Sequence, residues 1–482
     1  MKMPILGQAY VARSVNAADN RMVNLFPEVT PDNGKDAGFL NRAPGLRLLA
    51  TLGTGPVRGL WQYNGYGYVV SGITLYKIDA AWNVTALGTV SGTGPVSMSD
   101  NGAVLFIACN GPSYTYFDRT GDFRQITDSN FEGAVTVGYL DGYFVFNPPN
   151  SQKVFVVETL VPAGYIYPLV FDALTYASAE GSPDGLVSII IDHREAWLFG
   201  TNSVEVWYDA GNPDFPLERI QGAFNEIGCA APYSVAKLDN GIFWLGADAR
   251  GNGIVYRANG YTGQRVSTHA IEFAIQSYPT ISDAIAYTYQ QEGHAFYVLI
   301  FPTGNATWVY DVATGAWHER AGFSNGQFMR HISNCQMNYN NEIVVGDYAN
   351  GNIYAFDLDV YADNGAEQKW LRSWRALPPG QNNLTRTAQH VVQLDCESGV
   401  GLATGQGSNP QVMLRWSDDG GHTWSNEHWA SMGGIGAYGT RVIWRRLGMT
   451  EKLRDRVYEV SGTDPVKIAI IGAELIVTPT NG

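Results

Sequence analysis

Charged residues are scarce in this 482-residue sequence, and positive charge is scarcer than negative charge. Asp, Glu, Lys and Arg make up 16% of the chain, with 45 acidic residues against 31 basic ones and a formal net charge of -14. A protein that grips nucleic acid needs clustered Lys and Arg for the phosphates, so this composition argues against such a protein. An intrinsically disordered chain would have more charge and fewer aromatic residues than the 12% found here.

Long apolar runs and paired cysteines are also missing. No 18 apolar residues run together, so the sequence predicts no membrane span. The apolar stretch near the N-terminus is too short and too polar for a signal peptide. The four cysteines are far apart with no CxxC pair, and we predict reduced, mostly buried thiols without a metal or redox role: Cys109, Cys229, Cys335 and Cys396.

Motifs of the common enzyme classes do not occur either. The sequence has no GxxxxGK[ST], HExxH or G-x-S-x-G motif. His422 and His428 lie near three acidic residues, Asp418, Asp419 and Glu427, but their spacing fits no standard zinc pattern. We therefore predict no catalytic residues, no metal site and no cofactor.

The sequence does contain a repeated β-strand that ends in an acidic or amide residue. Its seven copies are Leu75–Asp79, Tyr114–Asp118, Val154–Glu158, Val204–Asp209, Ile254–Asn259, Thr307–Asp311 and Ile353–Asp357. Their last residues are 39 to 52 positions apart, a period typical of a four-stranded propeller blade. Each copy follows another β-rich run, and pairs such as Asn64-Gly65 and Asp141-Gly142 supply the positive φ angles of a tight hairpin turn.

These features predict an all-β protein with a six- or seven-bladed β-propeller over residues 50–365. Two β-sandwiches in series are the alternative, because regularly spaced turn signals suit sandwiches too. Residues 1–49 have few strand-like alternations and predict an extended N-terminal arm that packs on another part of the chain. Beyond a boundary at Pro378–Asn383 several strands recur, and we predict a C-terminal β-sandwich-like docking domain over residues 366–482.

One short motif in the C-terminal part is an Asp box. Residues 417–424 read SDDGGHTW and match S-x-D-x-G-x-x-W through Ser417, Asp419, Gly421 and Trp424. The Asp side chain can bond turn amides, Gly permits positive φ and Trp pins the turn to a sheet, which predicts a structural hairpin turn. Because the motif is familiar from sialidases, a sialidase-like glycan hydrolase or a glycan-binding propeller for receptor recognition is the alternative function.

Positive charge is concentrated between residues 441 and 456, which we call the basic segment. Its basic residues are Arg441, Arg445, Arg446, Lys452, Arg454 and Arg456. In an acidic protein, such a local excess is either a solvated face or a docking surface for an acidic partner or a neighbouring subunit. We predict partner or subunit docking for these six residues.

Several parts of the chain resemble one family of phage proteins. NRMVNLFPE from Asn20, followed by APGL from Ala43, is similar to the N-terminal arm of tail-hub proteins from short-tailed bacteriophages. SPDG from Ser182, and VIWRRLG from Val442 with RDR from Arg454 after it, also resemble this packaged-DNA stabilisation or tail nozzle family. The resemblance touches the arm, the mid-chain and the C-terminal domain.

The resemblance implies a structural virion protein of the tail, made in the host cytoplasm, and not an enzyme. It implies a ring, a homohexamer, below the portal and adaptor proteins, with tail spikes or fibres attached around it. The ring would close the channel to retain the packaged genome and conduct double-stranded DNA during ejection. An acidic balance is compatible with this role, because carboxylates repel phosphate and let DNA pass without sequence-specific binding.

Overall fold

The computed structural model of the chain is almost entirely β-structure, with one short helix, His269–Gln276, among its described residues. The structure describes residues 1–15, 17–31, 34, 36–161, 164–179, 181, 184–248, 251–377, 385–451 and 455–480. The predicted boundary at Pro378–Asn383 and the Ser182-Pro183 pair therefore lie outside the described residues. The all-β prediction is confirmed.

Seven blade-like antiparallel units follow one another around the propeller in the described part of the chain. Blade 1 consists of Val57–Tyr63, Tyr66–Ser71, Thr74–Ile78 and Val84–Thr89, and blade 2 of Ser97–Asp100, Val104–Ala108, Ser113–Phe117 and Asp122–Gln125. Blade 3 consists of Val137–Leu140, Tyr143–Phe146, Lys153–Glu158 and Tyr176–Ser178. Blade 4 consists of Leu186–Asp192, Glu195–Gly200, Val204–Asp209 and Leu217–Asn225. A small hairpin of Leu160–Val161 and Gly164–Tyr165 lies within blade 3.

Blades 5 to 7 follow the same order, with small additions. Blade 5 consists of Gly228–Cys229, Ala236–Leu238, Gly241–Asp248, Gly251–Asn259 and Thr262–Arg265. Blade 6 consists of Ile285–Gln291, His294–Phe301, Ala306–Asp311 and Ala316–Glu319. Blade 7 consists of Ser333–Tyr339, Glu342–Asp347, Asn352–Asp357 and Gly45–Thr51. Hairpins of Ala321–Ser324 with Gln327–Arg330, and of Ala362–Asp363 with Ala366–Glu367, precede and follow blade 7. Counted along each sheet, the repeated strand predicted from the sequence is the third strand of every blade; in blade 5, Gly228–Cys229 and Ala236–Leu238 both pair with the second strand.

Tight turns join the first two strands of several blades. Asn64 and Gly65 have φ angles of 50° and 76°, and Asp141 and Gly142 have φ angles of 46° and 103°. Two successive positive φ angles give the twist that suits flanking antiparallel strands. The Asn-Gly and Asp-Gly pairs therefore form the predicted hairpins.

The ring is closed by a strand from the N-terminal part of the chain. Gly45–Thr51 is the fourth strand of blade 7 and pairs antiparallel with Asn352–Asp357, Gly45 standing opposite Asp357. The first strand of blade 7, Ser333–Tyr339, packs against the first strand of blade 1, Val57–Tyr63. Closure leaves only short edges exposed, which protects a long all-β chain from edge-to-edge pairing.

The C-terminal part is a two-sheet sandwich whose sheets also contain strands of the N-terminal segment. One sheet has the order Val442–Arg445, Thr387–Cys396, Ala469–Pro479, Gly38–Arg42 and Leu25–Val29, with Lys2–Met3 also pairing with Ala469–Pro479. The other continues from blade 6 through Met22–Val23, Trp370–Arg375, Val457–Gly462, Gln411–Ser417 and His428–Ser431. Tyr10–Val11 and Asp19–Asn20 form a further small hairpin.

One apolar cluster spans the propeller, the N-terminal segment and the sandwich. It includes Trp317 of blade 6, Met3 and Met22 near the N-terminus, and Trp370 and Trp374 of the sandwich, all buried. Burying a large apolar side chain contributes about 1.5–3 kcal/mol. The N-terminal segment is thus part of a shared core.

Candidate docking surface

The basic segment begins on an edge strand of the sandwich. Val442–Arg445 pairs with Thr387–Cys396 on one side, and Arg441, Arg445 and Arg446 are exposed. The Arg441 side chain donates to the Gln393 side-chain oxygen. Within the described residues, none of the ion pairs involves these three arginines. Three positive charges therefore face solvent at this sheet edge.

Arg456 differs from these three residues because it is buried, with 3% of its surface exposed. Its Nε and Nη2 donate to Oδ1 and Oδ2 of Asp418, both at 2.7 Å, and its Nη1 donates to the carbonyl oxygen of Leu447 at 2.7 Å. The guanidinium also lies 5.2 Å from the centre of the Trp416 ring. Arg456 thus ties a loop to the sheet and does not present its charge outward, while Lys452 and Arg454 lie outside the described residues.

The Asp box forms a closed turn between Gln411–Ser417 and His428–Ser431. Ser417 Oγ donates to Asp419 Oδ1 at 2.6 Å and accepts from the Gly421 amide at 2.8 Å. The Asp419 carboxylate also accepts from the Thr423 amide at 2.8 Å and hydroxyl at 2.7 Å. These hydrogen bonds, that of Ser417 foremost, lower the pKa of Asp419. Trp424 Nε1 donates to the Gly421 carbonyl at 3.1 Å.

The turn contacts the N-terminal segment. A Cβ atom on Gly421, whose φ is 105°, would overlap Asp19 Oδ2. Burial and, to a smaller extent, the nearby Glu459 carboxylate raise the pKa of Asp19 to about 6. Glu459 accepts from Arg415 Nε at 2.6 Å. The Asp box therefore packs against the segment that joins the sandwich to the propeller.

The histidines near the Asp box are not gathered into a ligand set in the described part of the chain. No group of three or more His, Cys, Asp or Glu is close enough there to hold a metal ion. The His428 ring instead stacks on Trp416, with 4.8 Å between ring centres. Of the cysteines, Cys109 and Cys229 are buried, and burial raises the pKa of each thiol to about 11.

Exposed apolar side chains occur close in the chain to the three exposed arginines, and the sequence prediction did not include them. Trp429 is 62% exposed, Ile435 71% and Tyr438 78%. Trp444 Nε1 donates to the His428 carbonyl at 2.8 Å, which holds this region against the strand that carries Arg445. Isolated apolar residues in a glycine-rich stretch were the only available signal. We call Trp429, Ile435, Tyr438, Arg441, Arg445 and Arg446 the C-terminal patch.

The fold defines a class of protein: a seven-bladed propeller whose N-terminal segment both closes the ring and builds a β-sandwich. Family models match both parts, one described as Bacteriophage P22 Gp10, beta-propeller, over residues 1–361 and one as Bacteriophage P22 Gp10, beta-sandwich, over residues 369–478. The chain belongs to the bacteriophage P22 Gp10 family, a family of phage tail and stabilisation proteins. The resemblance predicted from the sequence is thereby confirmed.

Comparisons with solved structures and curated proteins add little to this assignment. A chain of the mitotic checkpoint complex is 12% identical, with 64% of this chain and 94% of that chain covered and a TM-score of 0.42. The designed protein Ika8 is 12% identical, with 65% of this chain and 99% of that chain covered and a TM-score of 0.38. A chain from an S. cerevisiae complex of Dbp5, Nup159 and Gle1 is 11% identical, with 69% of this chain and 99% of that chain covered and a TM-score of 0.39. No curated protein matches. Among the described residues, no helix is long and apolar enough to cross a membrane.

Proposed function

We propose that this protein is the tail nozzle of a short-tailed phage. Copies of the chain form a ring, a homohexamer, below the portal and adaptor proteins, retain the packaged DNA and conduct it during ejection. The observation that carries the proposal is that both family models match in order along one chain. The proposed role is structural and places the protein in the virion tail, with tail spikes or fibres attached around the ring.

We also propose a separate role for each of three parts of the chain. Residues 1–49 serve as the arm, residues 50–365 as the propeller and residues 366–482 as the docking domain, with Gly45–Thr51 shared between arm and ring. The Asp box serves as a structural turn, because its side chains bond one another and pack on the arm. Arg456 serves the same structure through Asp418.

The C-terminal patch is the proposed docking surface. Trp, Tyr and Arg are enriched among the residues that dominate protein–protein binding energies, and the patch exposes all three types. A second copy of the chain, with its formal net charge of -14, is an acidic partner that such arginines attract. Charge complementarity therefore favours docking between copies or onto another acidic tail protein.

Reconstitution tests the nozzle and the patch separately. The purified chain is mixed with its adaptor and portal proteins, and complexes are followed by mass measurement and negative-stain imaging. Failure of the wild-type chain to join a tail complex would overturn the nozzle proposal. We expect Arg445→Glu with Arg446→Glu to reduce assembly at least tenfold while the fold is kept.

The matched control reverses two exposed arginines on blade 2, Arg119→Glu with Arg124→Glu. We expect this control to assemble like the wild-type chain. Equal assembly of both double variants and wild type would show that the patch is a solvated face, while leaving the nozzle proposal standing.

The glycan hydrolase alternative has no support from the site. Asp419 makes its hydrogen bonds within its own turn, which leaves it poorly placed to act on a sugar. We expect no turnover of fluorogenic glycosides and no hits on a glycan array. Turnover that is lost in Asp419→Ala would revive the hydrolase.

A further inference from the structure

One sheet of the sandwich carries the C-terminal patch on one edge and a different surface on the other. Val442–Arg445 is the first edge strand of this sheet, Leu25–Val29 is the last, and three strands lie between them. At about 4.8 Å per strand, the two edges are about 19 Å apart and lie on opposite sides of the sheet. A partner that contacts one edge therefore leaves the other edge uncovered.

An apolar groove lies between the last edge strand and blade 6. Its volume is about 380 Å³, and the Thr314-Gly315 turn of blade 6 lines one side of it. Val29, on the edge strand, is 68% exposed. The apolar side chains that line the groove are Leu6, Pro27, Val29, Ala37, Phe39 and Ala316. Side chains of a partner that enter this groove would remove apolar surface from water on both molecules.

Three carboxylates lie beside this groove. Glu28, which precedes Val29 on the edge strand, lines a second hollow of about 250 Å³ together with Glu292 and Asp359. Glu292 and Asp359 are exposed, and Glu28 is half-buried and accepts from Asn41 Nδ2 at 2.5 Å. None of the ion pairs formed by the described residues involves these three carboxylates. We call Leu25–Val29, the groove and the three carboxylates the groove edge.

The basic side chains of the second hollow are already engaged elsewhere. Arg42 is 3% exposed and donates to main-chain carbonyl oxygens. Lys467 pairs with Glu397 at 2.9 Å, and His294 Nδ1 bonds Asp311 at 2.8 Å. The groove edge therefore presents negative charge beside an apolar surface, whereas the C-terminal patch combines positive charge with exposed apolar side chains.

We propose that the groove edge of one copy binds the C-terminal patch of a second copy; the inference rests on the proposed ring. Ile435 and Tyr438 of the patch enter the apolar groove, and Arg445 and Arg446 face the carboxylates beside it. Three arginines and three carboxylates that form no ion pair among the described residues thus meet, and such complementary charges favour one partner and one orientation. Tyr and Arg are also common among the residues that dominate binding energies.

This contact is head-to-tail because it joins opposite edges of the same sheet. Each copy uses its C-terminal patch on one neighbour and its groove edge on the other. A head-to-tail contact closes into a ring when its rotation divides a full turn, whereas contact between two like edges ends at a dimer. The sandwiches then hold the ring together, and the arm strand Leu25–Val29 forms part of each contact.

Disulfide cross-linking between copies tests the contact directly. A Val29→Cys chain and an Ile435→Cys chain are mixed in equal amounts and oxidised in air, both as purified protein and in the tail complex with adaptor and portal. We expect a linked pair of chains at least about tenfold above either variant alone and above wild type, which measures the background from the native cysteines. Ile73→Cys on blade 1, 60% exposed, replaces Val29→Cys in the matched control and should give only background.

The outcomes separate this inference from the nozzle proposal. A tail complex that forms without the linked pair would overturn the contact and leave the nozzle standing. Linkage no greater than that of the Ile73→Cys control would also overturn the contact. A wild-type chain that enters no tail complex would overturn the nozzle, and the purified chain would still report on the contact.

Charge exchange tests the polar part of the contact. Glu292→Arg with Asp359→Arg should weaken assembly at least about tenfold, as expected for Arg445→Glu with Arg446→Glu. All four substitutions in one chain should restore most of the assembly, because every contact then joins opposite charges again. Combining the first pair with the blade 2 reversal should restore nothing. Four substitutions that assemble no better than either pair alone would contradict the pairing of these charges.

Discussion

Replacing Arg456 by Met separates the two roles that a basic segment can have. Methionine keeps most of the aliphatic length but removes the guanidinium. Arg456 donates twice to Asp418 at 2.7 Å, and it also donates to the carbonyls of Leu447 at 2.7 Å and Met449 at 3.2 Å. The substitution therefore removes four hydrogen bonds from a buried position.

The cost follows from what the substitution leaves behind. The Asp418 side chain is 12% exposed, so its carboxylate becomes an unpaired charge with little access to water. Removing one partner of a buried ion pair costs about 3–5 kcal/mol. Since Asp418 keeps some contact with solvent, we expect a loss of about 3 kcal/mol in the free energy of unfolding. Asp418→Asn in the same chain should recover part of the loss, as expected for directly interacting residues.

Urea unfolding followed by tryptophan fluorescence measures this loss, because Trp416 lies beside the guanidinium. The matched control is Arg445→Met on the exposed sheet edge, for which we expect a change within about 0.5 kcal/mol. In the assembly assay we expect the opposite order of effects. At equal amounts of folded protein, Arg445→Met should weaken docking more than Arg456→Met does. An Arg456→Met variant as stable as wild type would refute the structural role of Arg456.

Two further predictions concern the contact between the Asp box and the arm. Burial raises the pKa of Asp19 to about 6, so the folded state favours the protonated carboxyl and loses stability as pH rises from about 4 to about 6. We expect Asp19→Asn to be about 1–2 kcal/mol more stable than wild type near neutral pH and equally stable near pH 4. If urea unfolding showed the same pH profile for the variant and the wild type, this prediction would be contradicted. Gly421→Ala should lower the free energy of unfolding by about 2–3 kcal/mol, because the added Cβ would overlap Asp19 Oδ2. The control Gly436→Ala, where φ is 78° and the surrounding space is open, should lower it by about 1 kcal/mol. Equal destabilisation of the two variants in thermal unfolding would show that only the φ angle matters.

The blades could be predicted from the sequence because their signals are local. A strand such as Thr307–Asp311 repeats at a regular period, and a pair such as Asn64-Gly65 determines its own turn. The strand that closes the ring gives no such signal, because Gly45 stands opposite Asp357, about three hundred positions away in the chain. Pairing at that distance depends on the completed ring, and so the predicted arm could not show its part in blade 7.

The proposed docking surface was predictable in part for a related reason. Counting charges located the basic segment, but it could not show which side chains point inward. Val457–Gly462, which follows Arg456, is buried along its whole length between two neighbouring strands, so no alternation of polar and apolar residues marks its faces. The inward direction of Arg456 depends on Asp418, which the sequence analysis considered only as one of the acidic residues near His422 and His428.

The joint between propeller and sandwich limits how the proposed nozzle can open. Met22–Val23 lies between the last strand of blade 6 and Trp370–Arg375, so main-chain hydrogen bonds run from the propeller into the sandwich. Arg21 reinforces this joint through two 2.9 Å hydrogen bonds to Glu319, and Asn24 donates to the Ala321 carbonyl at 2.8 Å. Rotating one domain against the other would break a buried sheet, whereas interfaces between copies can slide without that cost. We therefore expect a channel of this kind to open through movement between copies, each copy keeping its propeller and sandwich together.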